Sequence, residues 1–175
     1  MRVVVFSDVH WLSERLQVEL YEYDPLLDYA PFLELCEVIL SDPPDVVVNL
    51  GDFAATYEDN PLPEVYQKMH DTVKVVQLRG NHDPESSAFD YTVLDDVRYE
   101  HGHKLMADLS GEDASVEGYI KRLRERTKDE RLVHGHTHQP AGPWPLDVGS
   151  VTFSGTYGEV IDGEARWLRL RTFRV

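Results

Sequence analysis

The chain has 175 residues, 42% hydrophobic and 28% charged, a balance that supports a packed core, excludes a disordered polymer and suits one domain over residues 1–175. Its 32 acidic against 17 basic residues leave a formal net charge of −15, which repels a nucleic-acid backbone and makes nucleic acid a poor partner. The single cysteine, Cys36, excludes an internal disulfide framework and a cysteine-built zinc finger, and no apolar run approaches the roughly 20 residues of a membrane helix.

Arg2 to Ser7 is β-branched and barely alternates, the pattern of a strand buried on both faces. A strand so close to the first residue leaves no room for a signal peptide, so a cytoplasmic protein is expected. Leu12 to Leu40 turns to acids, aromatics and leucines at helical spacing, broken near Pro25 and Pro31, with Leu33, Cys36 and Leu40 on one helix face. Pro43-Pro44 stops that helix, and Asp45 to Leu50 is a second buried strand. Pro61 to Asp71 is expected as a helix and Val73 to Leu78 as a third strand. Tyr91 to Leu94 and Val97 to Glu100 are short strands about the Asp95-Asp96 turn. Ser115 to Lys128 is a charged amphipathic helix with Val116, Ile120 and Leu123 on one side, and Leu132-Val133 leads into a histidine cluster. From Asp147 onward the tail has the pattern of a β-meander, with Asp162-Gly163 as a hairpin turn. Alternating strands and helices followed by strand-rich sequence indicate an α/β protein with a mixed sheet.

Of eight histidines, all but His70 fall into four short polar clusters: Asp8-Val9-His10, Asn81-His82-Asp83, His101-Gly102-His103 and His134 to His138. Asp52, after Gly51, adds a fifth. Each lies at or near the end of an expected strand, where open α/β folds form their sites. Asp8 and His10 are one residue apart, so in extended backbone their side chains leave on the same side and can share a cation; His136 and His138 repeat the spacing. Any one pair would be an ordinary loop or hydrogen-bonded histidine. Asp8, His10, Asp52, Asn81, His101, His136 and His138 together can fill two adjacent metal sites if one carboxylate bridges. A donor set of carboxylate, amide and imidazole without thiolate suits Mn²⁺, Fe²⁺, Zn²⁺, Co²⁺ or Ni²⁺, with Mn²⁺ the first choice.

The succession Asp-x-His, Gly-Asp, Gly-Asn-His-Asp, His-Gly-His and Gly-His-Thr-His, from Asp8 to His138, resembles the calcineurin-like metallophosphoesterase superfamily, in its compact prokaryotic phosphodiesterase branch. The resemblance implies a four-layer α/β/β/α sandwich of two mixed sheets flanked by helices, the strand-rich tail completing the second sheet. It implies that Asp8, His10, Asp52 and His138 hold one divalent ion and Asp52, Asn81, His101 and His136 the other, with Asp52 bridging. A hydroxide shared by the ions would hydrolyse phosphodiester, or phosphomonoester, bonds of small substrates, His82 giving the leaving group its proton while Asp83 orients the motif. His103 is either substrate-facing or a loop histidine, and His134 structural.

Protein phosphatases of the superfamily extend the second motif to Gly-Asp-x-x-Asp-Arg, which Gly51-Asp52-Phe53-Ala54-Ala55-Thr56 does not. Repair nucleases carry capping regions and basic tracks that are missing from this sequence. Nucleotide pyrophosphatases carry a helical cap, for which Leu20 to Leu40 is the one candidate; the same segment also fits a packed helix pair or a dimer surface. A scaffold without catalysis, as in one retromer subunit of the superfamily, is the alternative of another class, and retention of His10 and His82 weighs against it. No membrane is expected as a partner, and a homo-oligomer is left open.

Overall fold

A computed structural model describes residues 1–12, 28–53, 61–83, 89–108, 115–127 and 130–173. The elements are β1 (Arg2–Phe6), α1 (Ala30–Ser41), β2 (Val46–Asn49), α2 (Glu64–Thr72), β3 (Val75–Gln77), β4 (Tyr91–Leu94), β5 (Val97–Glu100), α3 (His103–Asp108), α4 (Val116–Arg126), β6 (Arg131–His134), β7 (Leu146–Asp147), β8 (Thr156–Ile161) and β9 (Glu164–Arg169). They build two mixed sheets with flanking helices. The first has the order β3-β2-β1-β8-β9, parallel from β3 to β1 and antiparallel beyond; the second has the order β4-β5-β6-β7. In the second, β4 is antiparallel to β5, and β5, β6 and β7 are parallel.

The uninterrupted apolar run of β1 is explained by what lies on each side of it. Val4 and Phe6 pack with Phe32, Leu35, Cys36 and Ile39 of α1 and Tyr66 and Met69 of α2. Val3 and Val5, turned the other way by the pleat, pack with Val97 and Tyr99 of β5, Val133 of β6 and Leu146 of β7. One strand therefore closes two cores, and both of its faces must be apolar. On the far side of the second sheet Leu132 is buried, as is Leu123 of α4. Ser115 caps α4, its hydroxyl accepting the Gly118 N–H at 3.0 Å.

Three expectations are corrected. The tail is not one meander and does not complete the second sheet: only β7 joins it, while the β8–β9 hairpin runs antiparallel to β1 from Arg2–Ile161 to Val5–Gly158. Its Asp162-Gly163 turn is as expected. The buried stripe of α1 is Phe32, Leu35, Cys36 and Ile39, with Leu33 and Leu40 only flanking it. Glu34 and Glu37 determine this rotation, because the opposite face keeps them out of the core; Glu34 accepts the Arg171 and Thr172 N–H groups instead. Finally, His103 opens a helix, α3, that the short polar run His101-Gly102-His103 gave no reason to expect. Leu20 to Leu27 lie outside the described residues; the remainder of that candidate cap is the packed helix α1, with Phe32 in the core.

Glu159 of β8 ties three strands together. It is buried, accepts from Arg2 of β1 at 2.8 Å and from Arg166 of β9 at 2.5 and 3.1 Å. Burial pushes its carboxyl up, but the hydrogen bonds and charges of Arg166 and Arg2 outweigh burial and leave it below the ordinary range. A carboxylate lowered on folding contributes stability above its unfolded pKa and loses it as acid protonates the folded form. Glu159→Gln should therefore cost about 2 kcal/mol at neutral pH, and the deficit should shrink in urea titrations below about pH 4.5.

Candidate metal centre

The three parallel strands of the first sheet point their carboxyl ends the same way, so the segments after β1, β2 and β3 emerge side by side. Asp8 N–H donates to Gly51 O at 3.0 Å, His10 N–H to Asp52 O at 3.0 Å and Trp11 N–H to Phe53 O at 2.7 Å, which zips the first loop to the second. Gly51, at φ +120°, allows the third loop to close on them: a Cβ there would collide with the Gly80 backbone, and one on Gly80 would enter the Asp52 carboxylate. Asp83 fastens this junction, its carboxylate accepting Asp52 N–H at 2.7 Å, Gly80 N–H at 2.8 Å and Phe53 N–H at 3.2 Å.

Backbone strain is concentrated at the candidate ligands. Among the described residues eight non-glycines have positive φ, and five of them are Asp8, His10, Asp52, His136 and His138. The others, Asp95, Asp96 and Asp162, occupy hairpin turns, where aspartate tolerates that region. Asp8 and His10 thus do not converge through extended backbone, as their spacing suggested; two left-handed residues, at φ 56° and 50°, turn them inward. Such residues cost on the order of 1–3 kcal/mol each and persist only where surrounding contacts fix them. The contacts are present: Ser150 and Thr152 hydroxyls donate to the Asp8 carbonyl at 2.8 and 3.0 Å, and Tyr29 hydroxyl donates to the His10 carbonyl at 2.5 Å.

The donor atoms form two adjoining groups, Asp8 with His10 and His138, and Asp52 with His101 and His136, each within 4.8 Å internally. Asp8 Oδ1 lies 3.2 Å from His138 Nε2 and 3.8 Å from His10 Nε2. His101 Nε2 is the meeting point of the second group. Asp52 Oδ2, Asn81 Oδ1 and His136 Nδ1 each lie 3.2 Å from it, with Asp8 Oδ1 at 3.9 Å. One ring nitrogen has at most one proton to share among these electron-rich atoms, whereas a cation between them would satisfy all. The residues present therefore fit two divalent ions.

Charge around the centre agrees. Burial opposes ionisation of Asp8, but His101, His10 and His138 hold its carboxyl well below the usual range. Burial likewise works against Asp52, and His101 outweighs it. His101 is driven down by burial and more than restored by Asp8 and Asp52. His136 is pushed down to about 4, by burial first and His101 second, so its ring is neutral and can act as a ligand near pH 7. The buried ring of His134 is also lowered to about 4, and its Nδ1 donates to the Gly135 carbonyl at 3.0 Å.

His82 N–H donates to Asp52 Oδ1 at 2.8 Å, while its exposed side chain places the ring 5.4 Å from that of His10. His103 is half-buried, 5.4 Å ring to ring from His101, on a cleft of about 330 Å³ that Tyr91, Arg98 and Lys104 also line. His70 stays apart, against Tyr66 of α2. No spacing in the sequence singles out the supports. Ser150 and Thr152 grip Asp8, Thr137 donates to buried Asp147 at 2.5 Å, and the Phe153 ring stacks on His138 at 4.6 Å and 8°. Buried hydroxyls in the run Asp147-Val148-Gly149-Ser150-Val151-Thr152 were the available signal.

The family model for the calcineurin-like phosphoesterase superfamily domain matches residues 1–158. The chain belongs to that superfamily. Among solved structures it is similar to the phosphoesterase YfcE of E. coli, at 20% identity and a TM-score of 0.57, covering 98% of this chain and 94% of that one. It is similar also to a metallophosphoesterase from Sphaerobacter thermophilus, at 17% identity, TM-score 0.54 and coverage of 98% and 89%. A third is Vps29 of Entamoeba histolytica, at 16% identity, TM-score 0.53 and coverage of 97% and 98%. At such identities the likeness concerns the fold. No curated protein matches the chain.

Proposed function

We propose that this protein is a dinuclear metal-dependent phosphoesterase acting on phosphodiester bonds of small substrates, with phosphomonoesters as the second substrate class. The observation that carries the reading is the convergence on His101 Nε2 of Asp52, Asn81 and His136, with the Asp8 group adjoining. In this reading Asp8, His10 and His138 hold one ion, Asn81, His101 and His136 the other, and Asp52 serves both. Two such ions would supply activation of water and neutralisation of charge on a phosphoryl group. Mn²⁺ suits the mixed oxygen and nitrogen set, as do Zn²⁺, Fe²⁺, Co²⁺ and Ni²⁺.

The chain's own residues do the rest. Asn81, exposed beside His101, is placed to donate its amide N–H to a phosphoryl oxygen once its Oδ1 is engaged. His82 holds a proton for the departing alkoxide. With two dications bound, the carboxylates of Asp8 and Asp52 would leave a local positive excess, which would favour phosphate at short range despite the net charge of −15. A cytoplasmic setting is part of the same proposal; separately, among the described residues no helix is long and apolar enough to cross a membrane.

Hydrolysis of bis-p-nitrophenyl phosphate and p-nitrophenyl phosphate, each with Mn²⁺ and with a chelator, tests the proposal. Turnover of the diester that the chelator abolishes is expected, together with a rise in melting temperature on adding Mn²⁺. Absence of turnover with all five metals, in protein shown to bind them, would replace the enzyme with a scaffold.

A further inference from the structure

The second sheet ends on a strand that lacks the usual protection of an edge. Natural sheets guard their edges with charge, proline or very short strands. Three edges conform: β9 carries Glu164, Arg166 and Arg169, β3 has three residues and β7 two. β4 is Tyr-Thr-Val-Leu, with no charge and no proline. Phe89, just before it, is bridged to Leu78, its carbonyl accepting the Arg79 N–H at 3.0 Å, so the outward side is occupied there; beyond it Tyr91 and Val93, on the same face as Phe89, are 53% and 56% exposed. The two-residue Asp95-Asp96 turn and the β4–β5 register make Leu94–Val97 and Thr92–Tyr99 the hydrogen-bonded pairs. The N–H and C=O groups of Tyr91 and Val93 therefore point away from β5, and among the described residues nothing pairs with them.

We propose that β4 is a homodimerisation edge, a second copy of this chain pairing with it antiparallel about a two-fold axis at Thr92. That register sets Tyr91 of each copy against Val93 of the other and satisfies four backbone groups on each strand. It also places apolar side chains in contact across the strands. Charge permits the approach. The one ionised group within 89–94 is Asp90, held by Arg79 at 2.5 Å and Lys104 at 2.6 Å. The two-fold then carries the exposed Asp95-Asp96 turn of each copy toward the end of the other strand where Arg79 and Lys104 sit, acid toward base. The exposed side chains offer on the order of 300 Å² of apolar surface per copy, well under the roughly 800 Å² per partner of a stable interface, which places the dimer in the weak, transient class.

This inference is independent of the phosphoesterase reading, and its test needs no substrate. Sedimentation velocity of the whole protein, from about 1 to 200 μM in roughly 0.3 M salt to screen the net charge, should show a monomer–dimer equilibrium. Val93→Lys puts like charges together on the exposed face, and Val93→Pro removes an outward N–H without touching the β4–β5 ladder. Each should weaken dimerisation at least tenfold and leave thermal melting within a few degrees, and Val93→Lys decides should the proline unfold the hairpin. Trp167→Lys, on β9, should change nothing. A monomer throughout the range would mean that the edge has some other occupant or none, and would overturn the proposal. A dimer that survives both Val93 substitutions would overturn it equally.

Discussion

Asp52→Asn is expected to remove about three orders of magnitude of metal-dependent hydrolysis while leaving the protein folded. The amide is isosteric and its Oδ1 can still accept the His82 N–H, now at 2.8 Å, so the loop junction built by Asp83 and Gly80 should survive. The negative charge is lost, however, at the residue proposed to serve both ions, in a site where Asp52 is almost wholly buried. Asn81, His101 and His136 would then face a dication with neutral donors alone, and Asp8 would remain as the sole carboxylate of the two groups. Metal stoichiometry measured after dialysis should fall below two, and kcat should fall with it while the metal-free melting temperature changes little. Two tightly held ions with near-normal turnover in this variant would contradict the shared role of Asp52.

The ligand candidates were legible in the sequence because each lies at or near the end of an expected strand, and strand ends determine where loops meet. The apolar run is plainest before Asp8, in Val3-Val4-Val5-Phe6, and before Asp52, in Val46-Val47-Val48. The means of convergence was not legible. Left-handed backbone at Asp8 is held by hydroxyls from Ser150 and Thr152, about 140 positions away, and at His10 by the Tyr29 hydroxyl, and pair spacing carries no trace of either support. The destination of the tail was hidden for a related reason. An apolar, alternating hairpin specifies a strand pair but not its neighbour, and β8 is placed beside β1 through pairing and the Arg2–Glu159 contact rather than any local signal. The α1 stripe is hard to phase from sequence because nearly every position from Pro31 to Leu40 is apolar; only Glu34 and Glu37 mark the solvent side.

His82→Ala is expected to separate chemistry from metal binding. The backbone N–H that His82 gives to Asp52 persists in alanine, and the exposed ring is not part of either donor group, so both ions should be retained. What disappears is a titratable ring 5.4 Å from that of His10, at the rim where a leaving group would depart. Protonation of that group matters in proportion to its basicity: an alkoxide cannot leave without a proton, whereas p-nitrophenolate is stable as an anion. The variant should therefore lose about 10²- to 10³-fold in kcat on an alkyl diester but less than about tenfold on bis-p-nitrophenyl phosphate, steepening the dependence of rate on leaving-group pKa. The metal content should equal that of the unsubstituted protein. Equal losses on both esters would show that His82 acts before or apart from bond cleavage, in binding or in shaping the Asn81 loop, and the proton would then have to come from another group such as His103 or from solvent.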